Sequence, residues 1–200
     1  MDVADTWSSL TFVVAGIWIV ARRRRPGDGD GHGSAARTRA ALGVLAIGIG
    51  VGSVIQHGPA PSWNPVVHDP PLLGAYALVA ADAIADLTGR RMRTWWWLAP
   101  TLSDAVLAAV DPWASIVAQG IASGVAVVLI LLRALARPKL RARLVSAVVV
   151  LGAGALIGFV EPWGHTGWHL LAAAAIVVAA PAVGRRTPEP GQRRGTPRPV

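Results

Sequence analysis

Long apolar runs alternate with short polar connections along the whole chain. Several of the apolar runs approach the ~20 residues that a helix needs to cross the hydrocarbon core of a bilayer. Seven runs can be marked, at 7–21, 40–57, 71–88, 94–110, 112–132, 140–160 and 165–183. The pattern therefore predicts an all-α protein, a bundle of seven transmembrane helices.

The composition also favours a membrane protein. Of the 200 residues, 53% are hydrophobic and 15% are charged, and the mean hydropathy is positive. A soluble domain of this size carries roughly 25% charged residues. Cysteine is absent, which excludes a disulfide framework, a thiolate zinc site and a cysteine nucleophile. Because arginines follow the first apolar run and no basic stretch precedes it, we expect a retained membrane helix and not a cleaved signal peptide.

The basic residues predict how the helices are oriented. All 19 Lys and Arg lie after the first, third, fifth and seventh apolar runs, and the intervening connections contain none. Since Lys and Arg are retained on the cytoplasmic side, we expect a multi-pass protein of a bacterial-type cell membrane, with its N-terminus outside and its C-terminus cytoplasmic. The net charge of +8 would then face anionic lipid head groups, and no nucleic-acid partner is expected.

Two stretches lack apolar periodicity altogether. Residues 26–36, which include His32, are rich in Gly and Asp, and the residues after Gly184 are rich in Pro, Arg and Gly. Such compositions favour disorder. We therefore predict a seven-helix transmembrane domain at 1–184 and a disordered, basic cytoplasmic tail at 185–200.

Three of the five histidines are candidate metal ligands. His165 and His169 are four residues apart at the start of the last apolar run, so a helix places both imidazoles on one face, about 6 Å apart along the axis. His57 ends the second run, and Ser53 lies one helical turn before it. The predicted orientation brings these residues, and the start of the third run, to one depth near the non-cytoplasmic surface.

Three imidazoles with an open fourth position are the ligand set of a catalytic zinc ion. Zinc in such a site lowers the pKa of a bound water towards ~7 and so makes hydroxide available near neutral pH. Asp69, which leads into the third run, is the candidate for proton transfer, and Ser53 is the candidate for stabilising an oxyanion. His68 is either a rival ligand or a loop residue. An outer-end histidine such as His57 is alternatively a solvated interfacial residue.

Three aspartates lie inside predicted membrane segments, where ionisable groups usually have a function. Asp86 is close enough to the basic cytoplasmic side to reach it. Asp82 and Asp104 are expected either to pair with polar groups inside the bundle or to contribute to a polar path through it.

The order of these motifs resembles the CREST superfamily of seven-helix membrane hydrolases, and the predicted N-out orientation resembles its alkaline ceramidase branch. The motifs are Ser53-x-x-x-His57 at the end of the second helix, Asp69 leading into the third, and His165-x-x-x-His169 in the last. The resemblance implies a zinc site with the three histidines as metal ligands, beside Ser53 and Asp69 as catalytic residues. It implies a zinc-dependent hydrolase that cleaves the amide bond of a ceramide-like lipid.

Two other kinds of protein would use the same residues. A non-enzymatic receptor or metal-homeostasis protein, similar to the haemolysin-III and progestin and adiponectin receptor relatives, would bind zinc for sensing or transport. A haem protein would ligate haem between helices through His57 and one of the later pair. Zinc flux into proteoliposomes and a visible Soret band distinguish these alternatives from a hydrolase.

Overall fold

The computed structural model describes residues 3–23, 32–160 and 162–186. No strand occurs in these ranges, so the predicted all-α fold with seven helices is confirmed. The helices are α1 (Val3–Ala21), α2 (His32–His57), α3 (Asn64–Leu87), α4 (Trp95–Val110), α5 (Pro112–Ala136), α6 (Pro138–Ile157) and α7 (Gly164–Ala179).

Five of these helices, α1, α2, α3, α5 and α6, are long and apolar enough to cross a membrane. The other two, α4 and α7, have 16 residues each. Large apolar side chains on the outside of the bundle, such as Val14, Ile121 and Val149, are more than half exposed. Apolar side chains on the outer surface of a helical bundle are typical of helices that face lipid. The structure is thus compatible with a multi-pass membrane protein.

Six of the helices form a closed ring, and α4 lies outside it. Neighbours along the ring are α1 and α2, α2 and α3, α3 and α5, α5 and α6, α6 and α7, and finally α7 and α1. The outer helix α4 packs against α3 and α5. The ring encloses an apolar core that includes Phe12, Leu42 and Leu78, and all six ring helices line a central cavity of about 70 Å³.

Glycines allow the ring helices to approach one another closely. Gly48 and Gly52 are one helical turn apart on α2, a spacing that predicts close packing in membranes. A Cβ atom at Gly52 would lie 2.6 Å from the backbone of His68 on α3, and one at Gly48 would lie 3.0 Å from Pro71. Gly154 on α6 faces α7 in the same way. The close contact at Gly52 brings the neighbouring turn of α2 against the start of α3.

Two stretches predicted to be disordered lie largely outside the described residues. These are 26–31 of the linker and 187–200 of the basic tail. The rest of the linker, from His32 onwards, is helical and belongs to α2, which corrects the predicted linker boundary at residue 36. Ala35 is buried there against the segment after α7, where it contacts Gly184. This packing stabilises the polar first turns of α2, which a search for apolar runs does not identify as helix.

The third helix also begins earlier than predicted, at Asn64 and not at residue 71. Proline usually begins or interrupts a helix, so the apolar pattern places the start at the second of two adjacent prolines. The structure instead holds both Pro70 and Pro71 inside α3. In consequence, His68 and Asp69 are residues of a helix and not of a loop.

Buried ion pairs connect the ends of α3 and α5 to the segment after α7. Arg133 donates to Asp82 and to Asp86, each at 2.8 Å, and to the backbone carbonyl of Arg185 at 2.7 Å. Arg186 makes a second ion pair with Asp82 at 2.7 Å. Of the two alternatives expected for Asp82, the structure shows pairing inside the bundle, and Asp86 reaches the basic side as expected.

Candidate metal centre

The three predicted metal ligands meet at the other end of the ring. His57 is the last residue of α2, and His165 and His169 lie in the first turns of α7. One ligand nitrogen from each ring lies within 4.8 Å of the others, and the Nε2 atoms of His57 and His165 are 3.1 Å apart. The structure thus brings together, from helices far apart in sequence, a group (the triad, His57, His165 and His169) that could hold a metal ion.

The geometry of the triad fits a single small cation. Ligand nitrogens around a tetrahedral zinc ion, bound at about 2.0–2.1 Å, lie about 3.3 Å from one another. The separation of 3.1 Å between His57 and His165 is close to this value. The three nitrogens lie within 4.8 Å of one another, so one ring has to turn inward for all of them to bind the same ion. Among the described residues, no carboxylate belongs to the group. The donor set is therefore three imidazoles, which is typical of a catalytic zinc with an open fourth position.

Two serines orient the buried member of the triad. His169 is 2% exposed; the Ser8 hydroxyl lies 2.8 Å from its Nδ1, and the Ser53 hydroxyl lies 3.3 Å from its Nε2. Because Ser8 donates its one hydrogen to the backbone carbonyl of Asp5, it accepts from Nδ1–H of His169. This pattern leaves Nε2 unprotonated, as a metal ligand requires, and outer partners of metal-bound histidines usually fix the tautomer in this way.

The first helix supports the site, which the sequence did not predict. The buried Asp5 accepts a hydrogen bond of 2.6 Å from Thr166, which lies between the two histidines of α7. Ser8 and Ser9 both donate to the Asp5 carbonyl. The sequence does contain a signal for this role. Asp5 is followed by serines three and four residues later, Ser8 and Ser9, and this spacing puts three polar groups on one face of an apolar helix. That these groups bond residues of α7 can be known only once the ring is seen to close between α1 and α7.

Replacing Ser8 with alanine should weaken metal binding by roughly 10–100-fold, the usual effect of losing an outer partner of a ligand histidine. Zinc titration against a competing chelator measures the change. Ser9→Ala is the matched control, because Ser9 is also buried on the same helix and bonds the Asp5 carbonyl, with no hydrogen bond to the triad. A Ser8→Ala protein with the affinity of the Ser9→Ala protein would contradict the assigned role.

The predicted proton-transfer residue, Asp69, is not a member of the triad. Its Oδ1 atom is 2.7 Å from Nδ1 of His68, and its Oδ2 atom accepts a hydrogen bond of 3.0 Å from Ser115. The backbone of His68 is the part of α3 that contacts Gly52, the residue before Ser53. The structure therefore places the His68–Asp69 pair next to the turn that carries Ser53. His68 itself is outside the triad.

The triad spans the boundary between the surface and the apolar interior. His165 is exposed, His57 is half-buried and His169 is buried. The ring of Phe12 contacts His169 edge-on at 5.9 Å between centroids, and Phe12 also lines the central apolar cavity. The apolar cavity thus extends to a side chain that contacts His169.

The fold and the site together define a class of protein, a seven-helix bundle compatible with the membrane that carries three clustered histidines at one end. No protein-family model matches the chain, and no curated protein matches it significantly. The chemistry of the site is therefore the basis on which a function can be proposed.

Proposed function

We propose that the protein is a zinc-dependent intramembrane hydrolase that cleaves the amide bond of a ceramide-like lipid. The observation that supports this proposal is the convergence of three imidazoles from α2 and α7, with the Ser53 hydroxyl beside them. Zinc, when bound by the triad, supplies a Lewis acid that polarises the carbonyl and activates water for attack.

The surroundings of Ser53 support a role in stabilising the charge that develops on the carbonyl oxygen. Its hydroxyl lies 3.3 Å from Nε2 of His169, so it is adjacent to the atoms that would hold the metal. It is 1% exposed, and a donor in a site of low dielectric contributes more to stabilising an oxyanion than one in water. We assign Ser53 the donation of a hydrogen bond to this oxygen.

We assign proton transfer to Asp69. Both of its oxygens are hydrogen-bonded, and the start of α3 lies against the turn of α2 that carries Ser53. In this role the carboxylate takes up the proton released as water attacks and gives a proton to the leaving amine. His68, bonded to Asp69 at 2.7 Å, holds the carboxylate in position.

The surroundings of the triad support a lipid as the substrate in this proposal. The cavity inside the ring has almost entirely apolar walls and extends from Phe12, beside His169, to Ala179 at the other end of α7. A few methylene groups of an alkyl chain suit such a cavity, while the exposed His165 lies where a polar head group would reach the surface. Because the cavity is only about 70 Å³, most of the alkyl chain would lie outside it, against the apolar outer surface of the helices. A lipid amide in the outer membrane leaflet meets all of these conditions.

The orientation in this proposal follows from the basic residues. Arg39, Arg133 and Arg186 lie at the end of the ring opposite the triad, where they bond the segment after α7 or its neighbours. With the basic end cytoplasmic, the N-terminus is outside and the triad faces the non-cytoplasmic surface of a cell membrane.

The alternatives are less well supported. A transport path would need free polar groups along the bundle. Asp82 instead forms ion pairs with Arg133 and Arg186, and the central cavity of the ring is apolar. Haem ligation would need a macrocycle between two rings, whereas the centroids of His57 and its two partners are only 4.8 and 5.2 Å apart. A zinc-binding receptor would share the triad and would differ by the absence of turnover.

The test is a hydrolysis screen with purified, zinc-loaded protein in detergent. We expect release of a fatty acid from ceramide, lost on removal of zinc by a chelator and restored by its return. Other lipid amides and the corresponding esters establish which bond is preferred. A zinc-loaded protein that hydrolyses no ceramide, other lipid amide or lipid ester would overturn the proposal and favour the receptor alternative.

A further inference from the structure

A second buried polar cluster lies between α3, α4 and α5. The Ser115 hydroxyl oxygen is 3.0 Å from Oδ2 of Asp69 and 2.9 Å from Oδ1 of Asp104. The side-chain amide of Gln119 donates to the same oxygen at 3.2 Å. Ser115, Asp104 and Asp69 are 0%, 2% and 6% exposed. One hydroxyl thus bridges two buried carboxyl groups, of which the proposed hydrolysis uses only Asp69.

The hairpin between α4 and α5 positions Asp104 in this cluster. The hairpin between α4 and α5 is closed by Asp111, which ends α4 and caps α5 by accepting from the backbone N–H groups of Trp113 and Ala114. This places Ser115 in the first turn of α5, opposite Asp104. The outer helix α4 is otherwise mostly exposed, and the residues that it buries are Asp104 and Ala108. A lipid-facing helix therefore directs one carboxyl group inward.

The hydrogen bonds of Ser115 require a proton on one of the two carboxyl groups. A serine hydroxyl has one hydrogen to donate and two lone pairs that accept. Gln119 occupies one lone pair. If Ser115 donates to one aspartate, the other aspartate must donate to Ser115, and it can do so only as a carboxylic acid. Two ionised carboxylates at this distance inside a bundle would also repel each other strongly.

The partners of the two carboxyl groups identify Asp104 as the acid. Both oxygens of Asp69 are hydrogen-bonded, to His68 and to Ser115, as suits a carboxylate. In the described part of the chain, Oδ2 of Asp104 is buried and has no hydrogen-bond partner. A charged oxygen left unpaired in this way is costly, whereas the carbonyl oxygen of a neutral acid costs much less. The proton therefore lies on Oδ1 of Asp104 and is donated to Ser115.

We propose that Asp104 stores a proton and supplies it to Asp69 through Ser115. The Oδ1–H bond of Asp104 breaks as its proton passes to the Ser115 oxygen, and the Ser115 proton passes at the same time to Oδ2 of Asp69. The transfer leaves Asp69 neutral and Asp104 ionised, with no change in total charge, and it reverses along the same route. Asp69 can thereby give this proton to the leaving amine, and the proton that Asp69 takes up as water attacks returns to Asp104 by the same route, so that a full turnover restores the acid form of Asp104. This catalytic use rests on the proposed hydrolase function, but the proton on Asp104 does not.

Infrared spectroscopy of the purified full-length protein at neutral pH tests the proton store directly, without substrate or metal. We expect the wild type to show the C=O stretching band of a buried carboxylic acid. The band should vanish in Asp104→Asn, persist in Asp69→Asn and shift in frequency in Ser115→Ala. Circular dichroism controls for folding, and Asn is nearly isosteric with Asp. A band that is unchanged in Asp104→Asn, or that is lost in Asp69→Asn instead, would overturn the proposal.

A kinetic measurement tests the transfer if the wild type hydrolyses a lipid amide. Asp104→Asn should lower kcat, by less than the roughly 10²-fold or more expected for loss of general acid–base catalysis, and should leave KM and the zinc content unchanged. Ser115→Ala should lower kcat similarly, and Ser115→Thr, which keeps a hydroxyl, should restore it. Equal kcat values for Asp104→Asn and wild type would refute the transfer. If the wild type hydrolyses nothing, the infrared result still decides whether Asp104 holds the proton.

Discussion

His165→Ala protein should purify without stoichiometric zinc, whereas the wild type should bind one zinc ion per chain. Removal of one of three imidazoles leaves His57 and His169, two ligands from different helices, to hold the ion. The loss of affinity should exceed the roughly 10–100-fold that follows loss of an outer partner alone. Elemental analysis of protein purified from zinc-supplemented cultures measures the stoichiometry, and lipid amide hydrolysis should disappear together with the metal.

His68→Ala is the matched control for this experiment. His68 is also a histidine at the same end of the ring, but it bonds Asp69 and is not part of the triad. Its replacement should therefore leave the zinc content unchanged. Because His165 is exposed, its replacement should not disturb folding, and unchanged helicity would verify this. Equal zinc in His165→Ala and wild-type protein would remove the basis of the proposed site.

Arg133→Ala should lower the free energy of unfolding by about 3–5 kcal/mol, the usual cost of removing one partner of a buried ion pair. Arg133 is 2% exposed and pairs with both Asp82 and Asp86 at 2.8 Å. Its loss would leave two buried carboxylates with only the more exposed Arg137 and Arg186 to compensate them. Denaturant titration of the purified protein in detergent measures the change in the free energy of unfolding.

Arg143→Ala provides the comparison for this stability measurement. Arg143 is exposed on α6, and surface substitutions away from specific contacts usually change stability by no more than about 0.5 kcal/mol. If Arg133→Ala and Arg143→Ala proteins unfolded at the same denaturant concentration, Arg133 would have no special part in holding α3, α5 and the end of α7 together.

The fold could be predicted from the sequence because each helix carries its own signal. Apolar runs near the length of a bilayer crossing, separated by charged or Pro/Gly-rich connections, identify seven helices without reference to their partners. The beginnings of α2 and α3 could not be predicted in this way. Their first turns are polar or contain prolines, and they are helical because they pack on other parts of the chain, as Ala35 does on Gly184.

The candidate site was predictable only in part, for a related reason. The spacing of His165 and His169 is local, and the alternation of basic connections placed His57 at the same end of the bundle. The outer partners depend on which helices are neighbours in space. That α1 closes the ring beside α7, so that Ser8 reaches His169, is not encoded in the periodicity of either helix. The same holds for Asp104, whose partner is known only once α4 is placed outside the ring.

The closure of the ring by α1 and α7 has a consequence for biosynthesis. Two of the three imidazoles belong to the last of the seven helices, so a nascent chain that has inserted only the first six offers a single candidate ligand. Until α7 arrives, Asp5 and Ser8 also lack the side chains that they bond in the finished protein. Metal capture would therefore come after insertion of the whole bundle, and chains interrupted before residue 164 would remain metal-free.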